Sequence, residues 1–142
     1  QPEFYDWAYN LPRGEPCAAK WREIPDDCDV LITHGPPIGV GDECDGSNRA
    51  GCVNLMHQIV SRVHPALHVF GHIHEGYGYF SCSSAPHTLF ANASTCTYRY
   101  RPTNPPLVVD LVKEETAGEE GGEKSGRSRW RVVGQYAGWA SS

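Results

Sequence analysis

Apolar positions in this chain fall into short runs closed by glycine and proline. Val30, Leu31 and Ile32 form one such run, and Gly35-Pro36-Pro37 stops it. A run this short does not make a helix, so it predicts a strand buried on both faces, with His34 at its C-terminal end. Within "RAGCVNLMHQIVSRV", Val53, Met56, Ile59, Val60 and Val63 recur at helical spacing, which predicts an amphipathic helix ended by Pro65. "ALHVF", residues 66–70, predicts a second buried strand that runs into Gly71-His72-Ile73-His74. Strand, helix and strand in that order predict a right-handed crossover between parallel strands.

Elsewhere the pattern is weaker. A short helix is predicted near Glu15 to Trp21, inside an otherwise irregular, aromatic and proline-rich stretch over residues 1–27, where "NLPRG" has the character of a specific loop. Strand candidates follow near 78–81, 87–91, 95–100 and 107–111, with hairpin-like separations that predict an antiparallel tail to the sheet. Residues 113–129 are charged, glycine-rich and free of large apolar side chains, the composition of a disordered linker. Trp130, Val132, Val133, Tyr136 and Trp139 supply enough apolar area for a docking strand. The predicted organisation is a domain over 1–112, an acidic, glycine-rich linker over 113–129 and a Trp-containing segment over 130–142.

A length of 142 residues fits one domain or a piece of one. The net charge of −5, with 12 scattered Lys and Arg, argues against a nucleic-acid polymer as partner. No apolar stretch approaches the roughly 20 residues needed to span a bilayer, and no charged-then-apolar leader opens the chain, so no membrane partner is expected. The six cysteines form no C-x-x-C pair, which argues against a cysteine zinc site. They read as reduced thiols, with Cys28, Cys52 and Cys82 in apolar or helical settings, of a cytoplasmic protein.

The histidines carry the candidate chemistry. On a strand, residues i and i+2 point to one side, so His72 and His74 can converge if the backbone stays extended. Neutral imidazole is the commonest metal ligand, and Gly71, Gly76 and Gly78 let the backbone turn sharply beside a cation. His34 holds the equivalent place on the other parallel strand, where open α/β sheets put ligands. Strand-end histidines also serve as hydrogen-bonded structural residues, so spacing alone leaves both readings open.

The residues around them narrow the choice. "GHIHEG" after an apolar strand, with "THGPP" before it, resembles the last two motifs of the calcineurin-like metallophosphoesterases. "NLPRG", "KW…IP", "DVLITHGPP", "LHVFGHIHEGYG", "NASTC" and "PTNPP", in that order over roughly residues 4–111, are similar to the C-terminal half of the metallophosphoesterase-domain-containing group within that superfamily. The resemblance implies the C-terminal half of a four-layer α/β/β/α sandwich, an α/β fold with a mixed sheet. It also implies a two-metal site in which His34 and His72 ligate one ion and His74 the other. Two divalent ions, Mn, Fe or Zn, suit histidine and carboxylate donors. Held roughly 3.5–4 Å apart, they activate a water that attacks a clamped phosphoester in line. The remaining family ligands come from a D-x-H motif, a bridging Asp in G-D and an N-H-D/E block. None is found here, since Gly41-Asp42 follows His34 instead of preceding it. No catalytic residue is therefore assigned within the chain, and an N-terminal half is needed to complete the site.

The implied activity is metal-dependent hydrolysis of a small phosphoester or nucleotide-like substrate, with a phosphodiesterase as the leading form and little or no turnover expected from these residues alone. The alternative is a catalytically inactive metal- or nucleotide-binding module. Arg13 offers a planar donor fork either to a substrate phosphate or to a turn carbonyl. Glu75 is expected to orient a ligand histidine from behind, the alternative being that it caps a turn. Asn92-Ala93-Ser94 matches the glycosylation pattern but reads as a structural strand end. His57, His64, His68 and His87 read as packing or surface residues. With both apolar strands reading as buried on both faces, this half alone is expected to expose an apolar sheet face.

Overall fold

The computed structural model describes residues 1–44, 48–114 and 129–137. In chain order its elements are helix α1 (Glu15–Trp21), strands β1 (Val30–Ile32), β2 (Glu43–Cys44) and β3 (Asn48–Arg49), and helix α2 (Val53–Gln58). Strands β4 (Leu67–Phe70), β5 (Gly78–Phe80), β6 (Leu89–Asn92), β7 (Leu107–Glu114) and β8 (Arg129–Ala137) follow. The main sheet runs β1-β4-β6-β5. β1 and β4 pair in parallel, as the two apolar runs imply, and α2 lies in the connection between them. β6 is also parallel to β4, and only β5 is antiparallel. The antiparallel tail is thus shorter than expected, because β5 carries the chain back along β6 before the Leu89 amide bonds to the Ala66 carbonyl at 2.9 Å. The fold is α/β with a mixed sheet.

One face of that sheet makes the core. Leu31, Phe70 and Phe90 pack there with Leu55 and Ile59 from the helical segment and Cys17 from α1. Pro16 at the start of α1 suits a position whose amide has no intrahelical partner, and Gly14 before it takes φ +90, which a side chain resists. α2 continues into a π-helical turn, Ile59–Val63, which ends at the left-handed His64 just before Pro65. Leu55, Ile59 and Val63 are its buried positions, while Val53, expected in the core, is 59% exposed. Leu55 lies two residues, about 200° of helix, from Val53, so a buried face running through Leu55, Ile59 and Val63 leaves Val53 on the solvent side.

On the opposite face, β1 is an edge strand, and its Val30 and Ile32 are exposed, Ile32 by 74%. Burial on both faces therefore holds for most of β4 but not for β1. Tyr79, paired with Ala91 on this same side, places its hydroxyl 2.8 Å from the carbonyls of both Val108 and Tyr136, which share its one proton, and so anchors the β7–β8 hairpin. Lys113 and Glu114 belong to β7 and Arg129 to β8, so the linker assigned to 113–129 loses both ends to strands, and its remainder, 115–128, lies outside the described residues. Residues 95–100 form no strand. Tyr100 turns back on Thr97 with φ +57, and the Asn104 side chain donates to the carbonyls of Ser94 and Cys96 at 2.8 and 3.1 Å, bonds a neighbouring strand would otherwise supply. No helix among the described residues is long and apolar enough to cross a membrane, and no described cysteine is in a disulfide.

His68 lies in this core and is fully buried. The Thr33 hydroxyl donates to the Gly35 carbonyl at 2.8 Å, so His68 Nε2–H is the donor in its 2.9 Å bond to Thr33 Oγ1, and Nδ1 is left without a partner. Burial pushes its pKa down to about 3. The unfolded chain then binds a proton near pH 6.5 that the folded chain refuses, so folding stability falls as pH drops from about 6.5 towards 3, by about 1.4 kcal/mol per pH unit at most. Urea unfolding at pH 7 and pH 5 should show this fall in the parent chain and a shallower one in His68→Phe. An equal slope in both would show that His68 is not the buried titrating group.

Candidate metal centre

The parallel pairing of β1 with β4 brings the two histidine turns together. The ladder continues beyond both strands, since Thr33 N–H donates to the Val69 carbonyl and Gly71 N–H to the His34 carbonyl, each at 3.0 Å. The main chain of one turn is thus bonded to that of the other. His72, next along, adopts φ +69, an unusual backbone for a residue with a side chain. This directs its ring back towards His34, and the two ring centres are 5.0 Å apart. His74 opens the 3-10 turn His74–Gly76 and packs edge-on against Tyr100 at 5.0 Å.

His34, His72 and His74 line one cavity of about 610 Å³. Its other walls include Phe4, Trp7, Tyr9, Tyr98, Tyr100 and Cys44. Phe4 stands edge-on to His72 at 5.3 Å, and Tyr9 lies tilted against His34 at 5.3 Å. Desolvation lowers the pKa of His34. Desolvation also lowers that of His72, and His34 and His74 add to the effect. Both rings therefore favour the neutral form that a metal requires.

Two imidazoles on one tetrahedral cation at roughly 2.0–2.1 Å per bond have ring centres about 5 Å apart, so the His34–His72 separation fits a shared ion. Among the described residues, no three His, Cys, Asp or Glu side chains are grouped to hold a metal. The chain thus presents a pair of donors with a third histidine on the same cavity wall.

The other candidate residues are placed as follows. Arg13 donates from Nη1 to the Gly51 carbonyl and from Nη2 to the Ala50 carbonyl, both at 3.0 Å, the turn-holding alternative of its two readings. Glu75 is exposed, and it borders both the histidine cavity and a second one of about 450 Å³ that contains Glu43 and Arg49. Asp42, which follows His34 and so does not match the family's Gly-Asp motif, is fully buried and accepts from Arg49 at 2.7 Å and from the Gly51 amide at 3.2 Å. Sequence reasoning missed the aromatic walls. The available signal was the density of rings in "FYDWAY", residues 4–9, where no helical or strand period assigns them to a core.

No family model matches the chain. Over 112 residues, 78% of its length, it is 52% identical to the protein named "Metallophosphoesterase domain-containing protein 1" in Homo sapiens, and to the protein of that name in Mus musculus at the same identity. A UPF0046 protein of Caenorhabditis elegans is 43% identical over 111 residues, again 78% of the chain. The chain spans about a third of the length of these curated relatives, 33% of the first two and 27% of the third.

The turn that carries His74 has no room to spare. A Cβ on Gly76 would lie 2.2 Å from the Gly41 carbonyl oxygen and 3.1 Å from Asn92 Nδ2, both fixed partners. Gly76→Ala should therefore destabilise the fold by about 1–3 kcal/mol, the usual cost of overpacking. Thermal unfolding checks this, and an unchanged midpoint would show that the 41 and 76 turns are not in contact.

Proposed function

We propose, from the premise that over its matched residues this chain belongs with the metallophosphoesterase-domain-containing proteins, that it forms part of a metal-dependent phosphoester hydrolase. The observation that carries the reading is the 5.0 Å His34–His72 pair at the C-terminal ends of two parallel strands, with His74 on the same cavity wall. In this reading His34 and His72 hold one divalent ion and His74 contributes to a second, within a four-layer sandwich completed by sequence outside these 142 residues. Mn, Fe and Zn suit such donors. Ions of this kind supply electrophilic polarisation of a phosphoester oxygen and lower the pKa of water.

The chain's own residues have four tasks here. His34 and His72, favouring the neutral form, present lone pairs instead of protons. The aromatic walls, whose rings are exposed, offer flat surfaces to a small nucleotide-like phosphodiester. Arg13 holds the carbonyls of Ala50 and Gly51 and so fixes the loop beside His72, and Glu75 lends negative charge at the cavity edge. A cytoplasmic setting suits the thiol-only cysteines. A second reading, a metal- or nucleotide-binding module without catalysis, draws on the lack of a three-ligand group among the described residues.

The 142-residue chain alone should not hydrolyse bis(p-nitrophenyl) phosphate with added Mn²⁺. Joined to an N-terminal half carrying D-x-H and G-D motifs it should gain metal-dependent turnover. Loss of outer partners of metal ligands costs about 10–100-fold, so His72→Ala in the joined protein should lose at least about 100-fold. Activity of the isolated chain that His72→Ala leaves intact would sink these assignments, and a joined protein that binds Mn²⁺ without turnover would favour the second reading.

A further inference from the structure

We propose that Asn92 is the positioning residue for the His72-Ile73-His74 turn. The proposal rests on the preceding reading only in treating His72 and His74 as site residues. Two histidines separated by one residue would share a side by the pleat of an extended strand. That rule does not apply here, because His72 is left-handed and His74 opens a 3-10 turn. The directions of the two rings must come from whatever holds the turn. Ile73 between them is buried at 5% exposure, and its carbonyl belongs to the peptide plane that leads into His74.

Asn92, fully buried at the C-terminal end of β6, donates from Nδ2 to that carbonyl at 2.7 Å. The same nitrogen donates to the Gly41 carbonyl at 3.3 Å. Its Oδ1 accepts from the Ser94 amide at 3.0 Å and from Ser94 Oγ at 2.7 Å. Both donors and both acceptor positions of the amide are therefore engaged. Ser94 Oγ also reaches the Ile73 carbonyl, at 3.4 Å. One side chain thereby joins the turn between the histidines, the loop at Gly41 and the cavity-lining Ser94. Such an amide, satisfied on every side, sets the peptide plane it holds.

The test uses the metal-free 142-residue chain and the imidazole proton signals. His74 lies in the ring field of Tyr100 and His72 in that of Phe4, so their chemical shifts report where the two rings stand. In Asn92→Asp the carboxylate has no proton to donate and faces two carbonyl oxygens. The His72 and His74 signals should move from their parent positions while those of His57, His64 and His87 stay. Ser94→Ala should move the same two signals by less, and it serves if Asn92→Asp does not fold. Thr88→Val is the control for stability alone, since it removes a buried bond to the Pro65 carbonyl, 2.6 Å, just before the same strand. It should lower the unfolding midpoint with both signals unmoved. Parent shifts for His72 and His74 in the folded Asn92 and Ser94 variants would overturn the proposal. Because no metal is present, that failure is distinct from a failure of the hydrolase reading.

Discussion

The bond from the Gly71 amide to the His34 carbonyl is the constraint on which the rest of the site depends. It prolongs the β1–β4 ladder past the last strand residues, so the strand pairing itself sets how the two histidine turns meet. Burial of most of β4 keeps its side of that ladder out of water, where a backbone bond is strong and a broken one costly. A loop crossing of the same sequence without parallel pairing would leave His34 and His72 with no fixed relation.

Around this pairing the structure places side-chain clamps in place of regular elements. Arg13 holds the Ala50 and Gly51 carbonyls, Asp42 holds the Gly51 amide and Arg49, and Asn104 holds the Ser94 and Cys96 carbonyls. Segments with few strand partners thus still have their backbone groups satisfied. The cavity walls are irregular in path but specific in position.

Much of the frame was legible in the sequence, because buried apolar runs ended by glycine are among the least ambiguous local signals. β1, β4, the crossover and the placement of His34 and His72 at matching strand ends follow from it, as does the assignment of His68 to packing. What was not legible depends on tertiary partners. Leu55 in place of Val53 required knowledge of which helix face packs on the sheet, and the lost strand at 95–100 required the amide of Asn104. The i, i+2 rule placed His72 and His74 on one side of a strand, yet it could not register a left-handed residue within the motif. The exposure of Val30 and Ile32 shows that an apolar run specifies a strand more surely than it specifies what covers it.

In the 142-residue chain taken by itself, the short, half-exposed edge strand β1 gives the candidate centre a dynamic character of its own. His34 is attached to the sheet through three residues paired on one side only, whereas His72 follows a strand paired on both. Local opening begins where few buried contacts resist it, so fraying of β1 would release the Gly71 amide and His34 while leaving β4 and β6 closed. Within the 142-residue chain taken by itself, the two halves of the histidine pair therefore differ in persistence. His72 keeps the time of the core, and His34 that of an edge.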